Sequence, residues 1–203
     1  MEKLLLDCTL RDGGYVNDWN FGRDNIVNIF ERLVSAGTDI IEVGFLDERR
    51  SFDPDRSIMP DTQSADRIYG GLDKGGSMTV AMIDYGTCSL EHIRPASECS
   101  LDGIRVIFKK HIMEEAFAYC EKIKALGYKV FAQAVSITRY TPEELLHFFD
   151  LAKRVKPYAV SMVDTYGLLH QEDLVKVTKV MDEHLDGEIS LGYHAHNLSL
   201  IHI

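Results

Sequence analysis

The sequence lacks the features that mark several large classes of protein. No apolar run approaches the ~20 residues that a membrane-spanning helix needs, and residues 1–7 hold too short an apolar stretch for a signal peptide. The four cysteines form no CxxC pair, so we expect reduced thiols in a cytoplasmic protein. Lysine and arginine number 22 against 32 aspartates and glutamates, a formal net charge of −10. This acidic balance argues against a nucleic-acid surface, which needs clustered cations.

The sequence also lacks any sign of internal division. It has no Pro-, Gly- or Ser-rich linker, no charged tail and no low-complexity tract. With 45% hydrophobic and 27% charged residues, it has the composition of a folded globular chain. A length of 203 residues fits one large domain or two small ones, and the missing linker favours a single domain over residues 1–203.

Short apolar runs alternate with longer amphipathic runs along the chain. Runs typical of strands cover residues 3–7, 40–45, 78–83, 103–108, 129–136, 158–163 and 190–194. Runs typical of helices cover 24–36, 88–93, 113–126 and 174–185, with two more that begin near Ser64 and at Pro142. The clearest helix start is Thr141-Pro142-Glu143-Glu144, a capping box with proline at the first helical position. Alternation at a period of roughly 25 to 35 residues predicts βαβ units around a parallel sheet.

Two α/β architectures fit this pattern, an open doubly wound sheet and a (β/α)8 TIM barrel. No GxGxxG follows the first strand and no GxxxxGK[ST] occurs, so nucleotide-binding versions of the open sheet lose support. A barrel has eight strands and typically ~250 residues, whereas about seven strands and six helices are predicted here. A barrel built by this chain is therefore expected to be incomplete at its C-terminus.

The most informative stretch is Tyr193-His194-Ala195-His196-Asn197. Residues i and i+2 of a strand project from the same face. His194 and His196 are therefore expected to point the same way, with imidazoles close enough to share one divalent metal ion. The alternative is a pair of histidines that are exposed or satisfied within the core.

A second stretch, residues 6–14, begins on the first strand and ends in two glycines. Arg11 and Asp12 are expected where that strand gives way to its loop, the edge at which parallel α/β folds form active sites. Asp12 offers a hard oxygen ligand, and Arg11 keeps its charge and can donate to a developing oxyanion. Joined with His194 and His196, Asp12 would complete a metal site that leaves positions open for substrate and water. The alternative is an Arg11–Asp12 ion pair that closes a turn.

Four segments stand out when they are read together. They are Thr9-Leu10-Arg11-Asp12-Gly13, Ile41-Glu42-Val43-Gly44-Phe45, Val163-Asp164-Thr165-Tyr166-Gly167 and Gly192-Tyr193-His194-Ala195-His196-Asn197. In this order they resemble the signature segments of the metal-dependent aldolase/lyase barrels. That family includes 4-hydroxy-2-oxovalerate aldolase, 3-hydroxy-3-methylglutaryl-CoA lyase, and the isopropylmalate and homocitrate synthases. The resemblance runs from about residue 4 to about residue 198.

The resemblance implies a (β/α)8 barrel in which Asp12, His194 and His196 hold a divalent ion, Mn²⁺ or Mg²⁺. The implied reaction makes or breaks a carbon–carbon bond next to the carbonyl of a small oxo acid, through a metal-bound enolate. A divalent cation and a fixed guanidinium, that of Arg11, would stabilise the charge that develops on the enolate oxygen. The other residues that would line the site are Glu42, Asp164 and Thr165.

Tyr15 departs from the family pattern. Some aldolases have a histidine base three residues after the motif aspartate, and the lyases and synthases have Gln or Glu there. A phenol has a pKa near ~10 and is a poor base at neutral pH. Tyr15 stays a catalytic candidate, while the general base is left open between Asp47, Gln133 and a metal-bound hydroxide. Trp19, the one tryptophan, either packs within the loop after Asp12 or lies against substrate.

Several alternatives remain open at this point. An acyl-CoA-dependent synthase of the same superfamily would run the condensing direction, and a non-catalytic barrel would bind metal but lack the base. A Schiff-base aldolase would use Lys109, at the end of the fourth strand. Because the chain ends soon after His196, we expect either a piece of a longer protein or a second subunit over the uncovered edge, which leaves a homo-oligomer open.

Overall fold

The computed structural model describes residues 3–185 and 187–196, in which strands and helices alternate. In chain order the elements are β1 (Leu6–Asp7), α1 (Thr9–Asp12), α2 (Arg23–Ser35), β2 (Ile40–Leu46), β3 (Ile58–Met59), α3 (Thr62–Tyr69), β4 (Met78–Asp84), β5 (Gly103–Phe108), α4 (Met113–Ala125), β6 (Lys129–Val135), α5 (Pro142–Val155), β7 (Ala159–Asp164), α6 (Gln171–His184) and β8 (Ser190–Ala195). Among the described residues, no helix is long and apolar enough to cross a membrane.

Packing divides the chain into two compact units. Unit 1 comprises Met1–Arg105 with Ala125–Lys129, and unit 2 comprises Val106–Lys124 with Val130–Ile203. The boundary falls within β5 and again close to the start of β6. The single domain over residues 1–203 stays a prediction.

In unit 1 the strand order is β1, β2, β4 and the first half of β5, with β3 beside β2. The pairings of β2 with β1, β3 and β4 are all parallel. All seven residues of β2 are buried, as expected of a strand covered on both faces. Gly44 sits in this strand at φ +146°, and an added Cβ would lie 1.7 Å from the carbonyl oxygen of Ser57. Glycine is therefore needed here, because it lets the chain that leads into β3 lie against β2.

In unit 2 the second half of β5 is followed across the sheet by β6, β7 and β8. The β6–β7 and β7–β8 pairings are both parallel. In the β7–β8 register, Asp164 lies opposite Ala195 and Val163 lies opposite His194. Helix α5 begins with the predicted capping box: Thr141 Oγ1 accepts from the N–H of Glu144, whose carboxylate accepts from the N–H of Thr141. The side chains at this edge of unit 2 are therefore placed by regular strand pairing.

Three sequence predictions need correction, and one strand was not predicted. The first strand is only Leu6–Asp7, because residues 3–5 lie exposed before it. Arg11 and Asp12 lie in the short helix α1 rather than in an open loop. Strand β3 was not predicted, since two residues give no periodic signal. The predicted helix over 88–93 is a single 3₁₀ turn, Leu90–His92. The other strand predictions agree with the structure to within one residue at each end.

Candidate active site

Arg11 and Asp12 are positioned by a turn built on the end of β1. The Asp7 carboxylate accepts from the backbone N–H of Thr9 at 2.9 Å and from its hydroxyl at 3.1 Å. The carbonyl of Cys8 then accepts from the N–H groups of Arg11 and Asp12, at 3.1 and 2.7 Å. This local hydrogen bonding starts helix α1 directly after the strand, as expected for a side chain that caps a turn.

Arg11 is a nearly buried cation held by two carboxylates. Its Nε donates to Glu42 Oε2 at 2.7 Å and its Nη1 donates to Asp12 Oδ1 at 2.6 Å. Burial by itself would lower the pKa of the guanidinium, but the charges of Glu42 and Asp12 outweigh it and raise that pKa. The Arg11–Asp12 ion pair considered from the sequence therefore exists, and Glu42 belongs to the same cluster.

Glu42 has a second cationic partner that the sequence analysis missed. Arg105, on β5, places its Nη1 2.6 Å from Glu42 Oε1, and both side chains are almost closed off from solvent. The available signal was an arginine inside the otherwise apolar run of β5. A charged side chain in such a strand is rarely buried without a partner.

Trp19 packs within unit 1 and caps the Arg11 backbone. Its Nε1 donates to the carbonyl of Arg11 at 2.7 Å, and its ring lies against Gly14, where an added Cβ would be 2.0 Å from the indole. Asp18 and Trp19 both adopt positive φ, +52° and +56°. Of the two sequence alternatives, packing within the loop is therefore the one observed.

Tyr15 lies beside Trp19 at the surface of unit 1. It is 62% exposed and makes edge contacts with Trp19 and Phe45, at centroid separations of 4.9 and 6.1 Å. Partial burial raises the pKa of the phenol; Arg11 opposes this rise and nearby carboxylates add to it. At neutral pH Tyr15 keeps its proton, so it can donate a hydrogen bond but is a weak base.

Two further groups near Arg11 and β2 are poor bases or nucleophiles. The Asp47 carboxylate accepts from Arg49 Nε at 2.7 Å and from Nη2 at 2.6 Å, and these hydrogen bonds lower the pKa of Asp47. Cys8 Sγ lies within 4.8 Å of an Asp12 carboxylate oxygen. Burial, assisted by the charge of Glu42, raises the pKa of the Cys8 thiol to about 11, so it stays protonated at neutral pH.

In unit 2, Asp164 and Thr165 organise the loop that follows β7. The two oxygens of Asp164 accept from the N–H groups of Leu168 and Leu169, at 2.9 and 3.0 Å. Thr165 Oγ1 accepts at 2.8 Å from the N–H of Ser136, a residue with φ +56°. Both predicted site residues thus hold backbone at the ends of β6 and β7. Gln133, the remaining base candidate, is fully buried on β6.

His194 and His196 face each other at the end of β8. Their Nε2 atoms are 3.0 Å apart and their rings meet edge to face, with centroids 4.7 Å apart. Asn197, which completes the sequence motif, lies outside the described residues. The i, i+2 spacing therefore does bring the two imidazole nitrogens to one point in unit 2. In unit 1 the structure brings together Arg11, Asp12 and Glu42.

The paired histidines fit a shared divalent ion. An ion with bonds of about 2.1 Å to two ligands at a right angle holds those ligands about 3 Å apart. The observed separation of 3.0 Å between the two Nε2 atoms matches that spacing. Without an ion, the same distance is that of a hydrogen bond in which one neutral imidazole donates to the other. Imidazole nitrogens are ligands suited to first-row divalent metals.

Comparison with known proteins identifies a family match over almost the whole chain. Residues 3–199 match the HMGL-like family model. A 4-hydroxy-2-oxovalerate aldolase from Geobacillus genomosp. 3 is 22% identical over 200 residues, which cover 95% of this chain and 57% of that protein. An oxaloacetate decarboxylase from Mycobacterium tuberculosis is 25% identical over 199 residues, covering 97% and 57%. The chain thus spans a little over half the length of these curated relatives.

The same comparison with solved structures identifies the fold. An HMG-CoA lyase from Acinetobacter baumannii, solved with coenzyme A and 3-methylmalate, superposes with a TM-score of 0.74 at 14% identity, covering 98% of this chain and 68% of that one. An HMG-CoA lyase from Brucella melitensis gives a TM-score of 0.67 at 15% identity, with 96% and 72% covered. At these identities the likeness shows the fold alone, and it confirms the predicted α/β fold of the TIM-barrel type.

Proposed function

Because the chain belongs to the HMGL-like family of aldolases, lyases and synthases, we propose that it is a divalent-metal-dependent carbon–carbon lyase. The reaction is the cleavage or formation of a bond next to the carbonyl of a small oxo acid, through an enolate. The ligands of the ion, Mn²⁺ or Mg²⁺, are Asp12, His194 and His196. The single observation that carries this proposal is the 3.0 Å separation of the two histidine Nε2 atoms.

Arg11 is the group that stabilises the enolate oxygen. Its guanidinium is fixed by Glu42 and Asp12 in a nearly dry environment, and its raised pKa keeps the charge permanent. A preorganised donor of this kind stabilises charge as it develops, without reorganisation during the reaction. The divalent ion, when bound, supplies a Lewis acid for the carbonyl oxygen.

Tyr15, Asp164 and Thr165 have supporting parts in the proposal. Tyr15 follows Asp12 closely in the chain, and its side chain is exposed. Because its pKa is raised, the phenol keeps its proton, so its hydroxyl donates a hydrogen bond to the substrate and does not act as a base. Asp164 and Thr165 hold the loop after β7 through the backbone bonds described above. Their role is therefore to position the backbone that follows the C-terminal ends of β6 and β7, where the substrate is proposed to bind.

The test begins with metal content and Mn²⁺ titration of the chain itself. We expect about one bound ion per chain in the native protein, and none in an Asp12→Ala/His194→Ala variant. His147→Ala is the matched control, because that histidine is exposed and pairs with Glu114 on the surface of unit 2. Failure of the native chain to take up Mn²⁺ overturns the metal site.

Activity is then assayed as metal-dependent release of pyruvate from 4-hydroxy-2-oxo acids. Turnover that chelator abolishes and Mn²⁺ restores supports the lyase. A chain that binds the ion and turns over no oxo acid supports the non-catalytic alternative. Trapping of substrate on Lys109 by borohydride supports the Schiff-base alternative.

A further inference from the structure

Arg105 is a buried cation whose position is not explained by packing alone. It lies in β5, among apolar residues, and is 3% exposed. It forms an ion pair with Glu42, whose Oε1 is 2.6 Å from Arg105 Nη1. Burying an arginine this way is costly, and an apolar residue would suit the strand as well or better. The arrangement calls for a role that a hydrophobic side chain could not fill.

The two oxygens of Glu42 are divided between two arginines. Oε2 accepts from Arg11 Nε at 2.7 Å, while Oε1 faces Arg105. An arginine next to a free carboxylate tends to form a bidentate pair, called a fork here, in which two of its N–H groups donate to the two carboxylate oxygens. On the Nε side of a guanidinium, that second donor is Nη2. Arg105 occupies the oxygen that Nη2 of Arg11 would otherwise take.

Among the described residues, Nη2 of Arg11 is consequently left without a hydrogen-bond partner. Nε binds Glu42 and Nη1 binds Asp12. Among residues 3–185 and 187–196, the structure gives no hydrogen bond or ion pair to Nη2. A guanidinium nitrogen of this kind, on a nearly buried side chain, is a preorganised donor for an added oxygen atom.

We propose that Arg105 is a positioning residue for Arg11. By occupying Oε1 of Glu42, it keeps Arg11 from closing a fork on that carboxylate and leaves Nη2 directed to a substrate oxygen. This inference rests on the proposed function, since it assigns the oxygen to the enolate. It adds a residue on β5 to the proposed site and explains why Glu42 is paired with two cations.

The probe for this role is oxalate, a planar dianion with the two-oxygen edge of a small oxo-acid enolate. Oxalate affinity is measured by calorimetry on the full chain loaded with Mn²⁺. In Arg105→Met, Arg11 closes its fork on Glu42, so we expect oxalate to bind about tenfold more weakly, the loss of roughly one hydrogen bond to a charged group. Mn²⁺ affinity should stay within about twofold, because Arg105 forms its ion pair with Glu42, which is not a proposed metal ligand.

Two variants separate positioning from a general structural role. Arg94→Met removes another arginine of unit 1, one paired with Asp66, and should leave oxalate affinity unchanged. Arg105→Lys keeps a cation near Oε1 and should retain oxalate affinity to within about threefold. Equal weakening in both Met variants overturns the proposal.

A double-variant comparison shows whether Arg105 acts through Glu42. In a Glu42→Gln background, Arg105→Met should change oxalate affinity by less than about twofold, because the carboxylate through which it acts is gone. This comparison can still be made if Arg105→Met alone is unfolded, because the double variant removes both charges of that pair and leaves neither of them buried without its partner. A tenfold loss in that background refutes the role.

The outcomes distinguish this inference from the proposed function. A wild-type chain that binds no Mn²⁺ overturns the metal site and this role with it. A wild-type chain that binds both Mn²⁺ and oxalate, with oxalate affinity unchanged in Arg105→Met, overturns only the positioning role.

Discussion

Arg11 donates from Nε to Glu42 Oε2 at 2.7 Å, in a place where Glu42 has no solvent exposure. Because Arg105 lies at the other oxygen, the carboxylate balances two buried cations. Glu42→Gln removes the negative charge and leaves both guanidinium groups buried without it. We expect the free energy of unfolding to fall by ~3–5 kcal/mol, as for other buried pairs that lose one partner. Denaturant unfolding measures this difference.

Glu183→Gln is the matched control for that prediction. Glu183 lies 3.9 Å from Lys179 on α6, and both side chains are largely exposed. Exposed pairs of this kind contribute little to stability, so the control should unfold at the same denaturant concentration as the wild type. A Glu42→Gln protein as stable as this control would show that the carboxylate is dispensable to unit 1.

Gly14→Ala tests the packing of Trp19 against the α1 turn. The added methyl would sit 2.0 Å from the indole ring, so the ring must leave its place and give up its hydrogen bond to the Arg11 carbonyl. The emission of the one tryptophan should shift to longer wavelength as the indole meets water. Gly13→Ala is the control, because a Cβ there meets only Phe21 at 3.7 Å. Identical emission from both variants would contradict the described packing.

Gly192→Ala tests whether strand register places the paired histidines. A Cβ at Gly192 would lie 2.4 Å from Ser161 Oγ on β7, so β8 must shift. The prediction is weaker Mn²⁺ binding and a lower melting temperature, because His194 and His196 follow on the same strand. Ser161→Gly in the same chain removes the obstructing side chain and should restore both.

Gly187→Ala provides the control for that series. An added Cβ at Gly187 has no heavy atom within 4 Å, so this variant should bind Mn²⁺ like the wild type. If Gly192→Ala also binds the ion normally, the register of β8 does not determine the metal site.

Local signals in the sequence were enough for most elements of the fold. Strand β5 has the predicted bounds, and α5 begins at the predicted proline. Both depend on neighbours along the chain: an apolar run for the strand, and a capping box for the helix. The i, i+2 argument for His194 and His196 succeeded for the same reason, since strand geometry alone puts both on one face.

The features that escaped prediction depend on distant partners. Strand β3 exists because Phe45 and Ile58 pair across a gap that only glycine at position 44 permits. The placement of Trp19 requires positive φ at two residues other than glycine, which propensity disfavours. The role of Arg105 depends on Glu42, far away in sequence. Such contacts follow from tertiary packing, and no window of sequence contains them.

Cys120 gives a prediction for alkaline stability. It is fully buried on α4, and burial raises the pKa of its thiol from the ordinary 9.0 to about 12. The folded chain therefore keeps a proton that the unfolded chain loses above about pH 9. The stabilisation is complete below the unfolded pKa and is lost as pH rises through the folded pKa. Cys120→Ala removes this group, so the free energy of unfolding should fall less steeply between these two values.

The measurement is denaturant unfolding across that alkaline range. The result is the slope of the free energy of unfolding against pH, and not its value at any one pH. Removing one such group flattens the slope by up to ~1.4 kcal/mol per pH unit. Ala116→Gly is the control on the same helix: it lowers stability by ~1 kcal/mol through helix propensity and removes no titrating group. Its curve should therefore run parallel to that of the wild type at every pH. A Cys120→Ala curve that also runs parallel would mean that the thiol titrates alike in the folded and unfolded chains, against its burial in unit 2.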